Sequence, residues 1–186
     1  MQNCNGNNYI NYTNIININT EKLFREAEDD LYYFNKITSA YKKLNKAVEL
    51  TPNNFKSVLL LADVAFIKGY TLKALEFYKQ ANKLKSSDFK SAAAIANCYK
   101  ITGDFENALK YCNIALNNCE INDYSLLNQL LDIKIELLIS QKRYKEAYNT
   151  LAIKNNNIKK FDFEFEFLHN KIEVQKKIKN SGLKVV

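Results

Sequence analysis

Ala40, Ala74 and Ala108 stand 34 residues apart, and Ala47, Ala81 and Ala115 repeat that step seven residues further on. A fixed period of roughly 20–50 residues marks a stacked repeat, in which one unit cannot bury its apolar face without a neighbour. Three units follow from the step: 21–54, 55–88 and 89–122. In each, an apolar register recurs, first at Phe24, Val58 and Ala92, then at Ala27, Leu61 and Ile95, then at Leu31, Ala65 and Tyr99. Spacings of three, four and seven predict helices. A break comes at Asn35, Gly69 and Gly103, and a second helix then carries the paired alanines with Leu44, Tyr78 or Cys112 between them. Alanine is what a close helix crossing requires, because any larger side chain pushes the axes apart. Pro52 and the Ser86-Ser87-Asp88 stretch supply helix stops and caps between units.

A fourth unit, 123–154, is displaced. Tyr144 and Ala147 match Phe105 and Ala108 at a step of 39, so five extra residues intervene, and 123–127 is the expected place for them as a longer first helix. Lys154 then falls where a small residue belongs, which predicts an early end near Ala152, before Asn155-Asn156-Asn157. Phe161, Phe163, Phe165 and Phe167 alternate with acids in the manner of a strand, yet Phe161, Phe165, Leu168 and Ile172 also share a helical face. A strand would have no partner in an all-helical array, so 159–180 is read as a capping helix and 181–186 as a tail.

With these units in view, the chain resembles the tetratricopeptide repeat (TPR) family. The resemblance is carried by "LLLADVAFIKGYTLKALEFYKQANKLKSSD" and "SAAAIANCYKITGDFENALKYCNIALNN", with the small first-helix residue at Ala62 and Ala96 but Glu28 in the first unit. It implies an all-α, right-handed superhelical solenoid of about four helix-turn-helix repeats plus the C-terminal cap. It further implies that the first helix of each unit lines a concave groove.

Composition sets bounds on function. Of 27 basic residues only two are Arg, and Asn occurs 26 times, a bias of the kind an AT-rich genome produces. The net charge of +7 is uneven: 21–122 carries 15 basic and 12 acidic residues, whereas 154–186 carries eight Lys and four acids. No five like charges run together, so a nucleic-acid arm is not expected. Residues 1–20 are Asn-rich without a helical face and are expected to be disordered. They lack the features of a signal peptide, and no run of apolar residues is long enough to span a bilayer, so a cytoplasmic location is expected.

Catalytic chemistry is not visible. Cys4, Cys98, Cys112 and Cys119 form no C-x-x-C pair, and His169 is the single histidine, so no zinc set of ordinary spacing can be built. No nucleophile elbow or phosphate-cradling glycine loop occurs, and acids such as Asp29-Asp30 read as solvated charges. The expectation is a protein with no catalytic residue, cofactor or metal.

The expected groove residues follow from the resemblance. Lys22, Lys56 and Lys90 form one row and Asp29, Asp63 and Asn97 another, with Arg25, Leu59 and Leu60 between them and Tyr33 and Phe66 one turn on. Such a face suits a peptide or protein segment, with Lys for a carboxylate and the apolar positions for anchoring side chains. The clamp that TPR domains use on the terminal carboxylate of heat-shock chaperones is not matched, since Arg25, Asp29, Leu60, Lys90 and Ala94 stand at its positions. Function is therefore read as a non-enzymatic protein-interaction scaffold. Two alternatives stand beside it: a helical-repeat RNA binder using the Lys-rich C-terminal helix, and a solenoid that self-associates as a homodimer.

Overall fold

The computed structural model describes residues 5–119 and 124–159, and among them it contains eight helices and no strand. The helices are α1 (Asn5–Tyr32), α2 (Ile37–Leu50), α3 (Phe55–Ile67), α4 (Thr71–Leu84), α5 (Phe89–Thr102), α6 (Phe105–Asn118), α7 (Tyr124–Ser140) and α8 (Tyr144–Lys159). They divide into two compact units, Met1–Ser86 and Ser87–Val186. Each holds two antiparallel hairpins, α1/α2 with α3/α4 in the first and α5/α6 with α7/α8 in the second.

The alanine lattice is where the hairpins close. Ala40, Ala74, Ala108 and Ala147 are all fully buried, as are Ala47, Ala81 and Ala115. In the first unit Ala27, Ala40, Leu44, Leu60, Leu61 and Val64 form one core cluster, flanked by Phe24, Leu31, Tyr41 and Phe77. In the second, Ala96, Ala108, Cys112, Ile135, Leu138 and Ala147 do the same. Side chains cap the helix starts after the breaks: Asn54 accepts from Ser57 N at 3.1 Å, Asp88 from Ser91 N at 2.8 Å and Asp104 from Asn107 N at 3.1 Å.

The four hairpin turns share one backbone device. Asn35, Gly69, Gly103 and Lys142 have φ of 50°, 78°, 82° and 60°, the left-handed conformation that ends a helix. In three of them the next residue donates to the carbonyl five back, from Tyr70 to Ala65, Asp104 to Tyr99 and Arg143 to Leu138, at 2.8–3.0 Å. The five extra residues of the fourth unit are spread around this device. The first helix starts 35 residues after α5 instead of 34, runs 17 residues instead of 14, and is followed by a three-residue turn instead of two.

Three expectations are corrected. Of the segment 1–20 expected to be disordered, residues 5–20 belong to α1, which begins at Asn5. Asparagine has a low helix preference, but propensity is a weak prior, and Thr20 is buried, donating to Ile16 O at 2.9 Å and taking a hydrogen bond from Thr51 at 3.2 Å. The fourth unit does not end near Ala152: α8 continues through Asn155–Asn157 to Lys159, because Lys154 is accommodated by an acid on α7. Asp30 is not a solvated charge. It is buried and pairs with Lys43 at 2.7 Å, while Asp29 is exposed. The capping helix expected at 159–180, apart from Lys159 in α8, the tail 181–186, Cys4 and His169 lie outside the described residues.

Candidate functional site

The first helices α1 and α3 lie beside each other in the first unit, and two adjoining grooves open on their face. One, of about 410 Å³, is lined by Glu21, Phe24, Arg25, Glu28, Phe55, Lys56, Leu59, Leu60 and Asp63. The other, of about 500 Å³, is lined by Leu31, Tyr32, Asp63, Phe66, Ile67 and Tyr78. Asp63 belongs to both. Its carboxylate accepts a 2.7 Å hydrogen bond from the Tyr78 hydroxyl of α4, which orients it where the mixed charged and apolar groove meets the apolar one.

Of the residues expected to bind, Arg25, Lys56, Leu59, Leu60, Asp63 and Phe66 are brought together here. Leu60 departs from its expected role, because it is 7% exposed and belongs to the core cluster with Ala27 and Leu44, forming groove floor instead of a presented anchor. The reason is that Leu60 packs into a cluster built by α1 and α2 together, whose depth periodicity on one helix does not give. Arg25 is drawn to Glu21 one turn earlier, at 3.3 Å. Lys22 and Asp29 are exposed and line neither groove, and Tyr33 lies beyond the end of α1 on the turn. Lys90 and Asn97 lie in the second unit, the first exposed and the second half-buried.

Charged first-helix residues of the second unit are taken up within it. Lys100 on α5 pairs with Glu136 on α7 at 2.7 Å. Asp132 on α7 accepts from Lys154 on α8 at 2.5 and 2.6 Å through its two oxygens. Tyr32 and Ile67 wall the groove where the first-helix register puts them, one turn on from Asp29 and Asp63; Tyr78 was read as core, and only its hydroxyl hints at a second role.

Reactive groups are few. Cys98 and Cys112 are fully buried free thiols, and burial pushes both up to about 11, away from nucleophilic use at neutral pH. Among the described residues no group of three or more His, Cys, Asp or Glu could hold a metal ion, and no helix is long and apolar enough to cross a membrane.

No family model matches the sequence, and no curated protein matches it either. Solved structures are similar in fold. A tetratricopeptide repeat protein from Parabacteroides merdae aligns with a TM-score of 0.74 at 19% identity, over 87% of this chain and 61% of that one. MamA from Desulfovibrio magneticus RS-1 aligns at 0.68 and 12% identity, over 77% and 78%. The Yersinia enterocolitica type III secretion chaperone SycD, in complex with a peptide of the translocator YopD, aligns at 0.61 and 15% identity, over 65% and 93%. Sequence lattice, hairpin geometry and these likenesses converge, and the chain has the tetratricopeptide-repeat fold.

Proposed function

We propose that the chain is a non-enzymatic scaffold whose α1–α3 face binds an apolar peptide segment of a protein partner. The observation that carries this is the pair of adjoining grooves with Asp63 at their junction. Leu59 and Phe66 are only half-buried there, so a partner's apolar side chain gains by covering them. The Asp63 carboxylate, oriented by Tyr78, places negative charge at the junction for a backbone or side-chain N–H of the partner. The fold includes SycD, solved with a bound peptide, which lends support to a peptide as the occupant. A cytoplasmic setting is part of the same proposal.

Selection of dodecamer peptides displayed on phage against the whole chain supplies a probe, whose affinity is then measured for Leu59→Glu and for Phe66→Ala. Both positions are partly exposed, so helical content is expected to persist, while affinity falls about tenfold or more as one apolar contact is lost. Unchanged affinity in both variants would remove the groove from consideration.

A further inference from the structure

We infer that the turn end of the first unit is a docking surface for an anionic lipid bilayer. The turn between α1 and α2 presents Tyr33 and Phe34, exposed by 80% and 60%, and the turn between α3 and α4 presents Tyr70 and, at the start of α4, Leu72, exposed by 45% and 68%. These residues line neither groove. The two turns are tied together: Lys68 Nζ donates to Thr38 Oγ1 at 3.1 Å, and the Tyr41 and Tyr70 rings meet edge to face at 6.0 Å.

The nearest acids are Asp29, exposed one turn before Tyr33, Asp30, which pairs with Lys43, and Glu76, exposed one turn after Leu72. The turns between them carry only positive charge. Residues 31–48 contain four Lys and no acid, and 64–75 contain two Lys and no acid. Lys43 is turned toward Asp30 of α1, whereas Lys36, Lys68 and Lys73 stand at 4.9, 5.5 and 5.9 Å from the rings of Phe34, Tyr70 and Tyr70. Ammonium groups held beside large apolar side chains can meet lipid phosphates while the apolar parts enter the headgroup boundary. Tyrosine suits that boundary because one end of the ring is apolar and the other polar.

The same chemistry argues against other occupants. A peptide needs concavity, and these residues lie outside both grooves. A single-stranded nucleic acid needs a run of open ring faces for stacking. A lysine ammonium stands against each of Phe34 and Tyr70, which leaves the Tyr33 ring as an isolated platform on these turns. Leu72 offers a base no ring face and offers a bilayer an inserted side chain.

The test is co-sedimentation of the whole chain with vesicles of phosphatidylcholine alone and of equal parts phosphatidylcholine and phosphatidylglycerol. Retention on the second and not the first is expected at low salt. The triple variant Lys36→Gln, Lys68→Gln, Lys73→Gln should partition about a hundredfold more weakly, at about fivefold per lysine. The variant Tyr33→Ser, Phe34→Ser, Leu72→Ser should lose about tenfold or more while keeping its salt dependence. Circular dichroism confirms that each variant folds. No retention on the anionic vesicles overturns the inference. So does full retention by both triple variants, which would transfer binding to the Lys-rich residues 171–179. Capture of a single-stranded RNA oligonucleotide without vesicle binding would replace the bilayer with a nucleic acid.

Discussion

Lys154 of α8 donates to both carboxylate oxygens of Asp132 on α7, at 2.5 and 2.6 Å, from the lattice point where the three preceding units have Ala47, Ala81 and Ala115. Its side chain is 5% exposed and that of Asp132 38%, so the ammonium depends on a carboxylate that keeps part of its own hydration. Removing the carboxylate leaves a buried charge unpaired, whereas removing the charge and keeping the volume does not.

Asp132→Ala is therefore expected to cost about 2–3 kcal/mol and Lys154→Met to stay within about 1.5 kcal/mol of the parent. Urea unfolding of the two variants checks this. Equal effects would mean that the pair does not hold α7 and α8 together.

The left-handed turn position gives a second comparison. Lys142 adopts φ 60° where Gly69 and Gly103 have 78° and 82°. The left-handed conformation costs a side-chain-bearing residue about 1–2 kcal/mol, partly offset by the extra freedom glycine loses on folding. Lys142→Gly should stabilise by about 0.5–1 kcal/mol, and Gly103→Ala should destabilise by a similar amount. A Cβ at Gly103 meets nothing within 4 Å, so that loss is backbone strain alone. Thermal midpoints that moved in the same direction for both would contradict it.

Asp30 and Lys43 set a pH dependence. Hydrogen bonds from Lys43, then Ser39, hold the Asp30 carboxyl below its ordinary value of 3.8, and the bond to Asp30 holds Lys43 above 10.5. A carboxyl lowered on folding stabilises fully above the unfolded value, and the contribution is lost as pH falls through the folded one. An amine raised on folding stabilises below the unfolded value and loses this as pH rises through the folded one. The stability difference between the parent and Asp30→Asn should be flat from about pH 5 to 9 and shrink below pH 4. A difference that grew on acidification would refute the pairing.

Thiol chemistry separates the cysteines. Cys98 and Cys112 titrate near 11 against an ordinary 9.0, so at pH 8 each has about a hundredfold less thiolate, and burial blocks access as well. Cys119 is half-exposed. In a Cys4→Ser background one thiol should react promptly with Ellman's reagent and two only on unfolding. Three prompt thiols would show that the hairpin cores open.

The alanine lattice was legible because a methyl group at a helix crossing is a local requirement repeated at a countable step. The turns were legible for the same reason, since Asn35, Gly69 and Gly103 are residue types that tolerate positive φ. Lys154 was not, because its partner lies 22 residues upstream on another helix, and the sequence shows only that the residue is too large. Leu60 lines the groove but as its floor, whereas Tyr33 lines neither groove. A helical period gives the face a residue occupies; it does not say how deeply Leu60 packs among its neighbours or that α1 stops before Tyr33. The start of α1 was hidden by its asparagines, whose weak helix preference is overridden where Thr20 is anchored to Thr51.

The displaced fourth unit shows what the repeat conserves. Its five extra residues are divided among the approach to α7, the body of α7 and the turn after it, yet Ala147 still reaches a fully buried position in the same cluster as Ala108. Chain length between crossings is thus a free variable and the crossing itself is the invariant. Residues can be added to or taken from such a hairpin wherever the meeting of its two methyl-lined faces is left undisturbed.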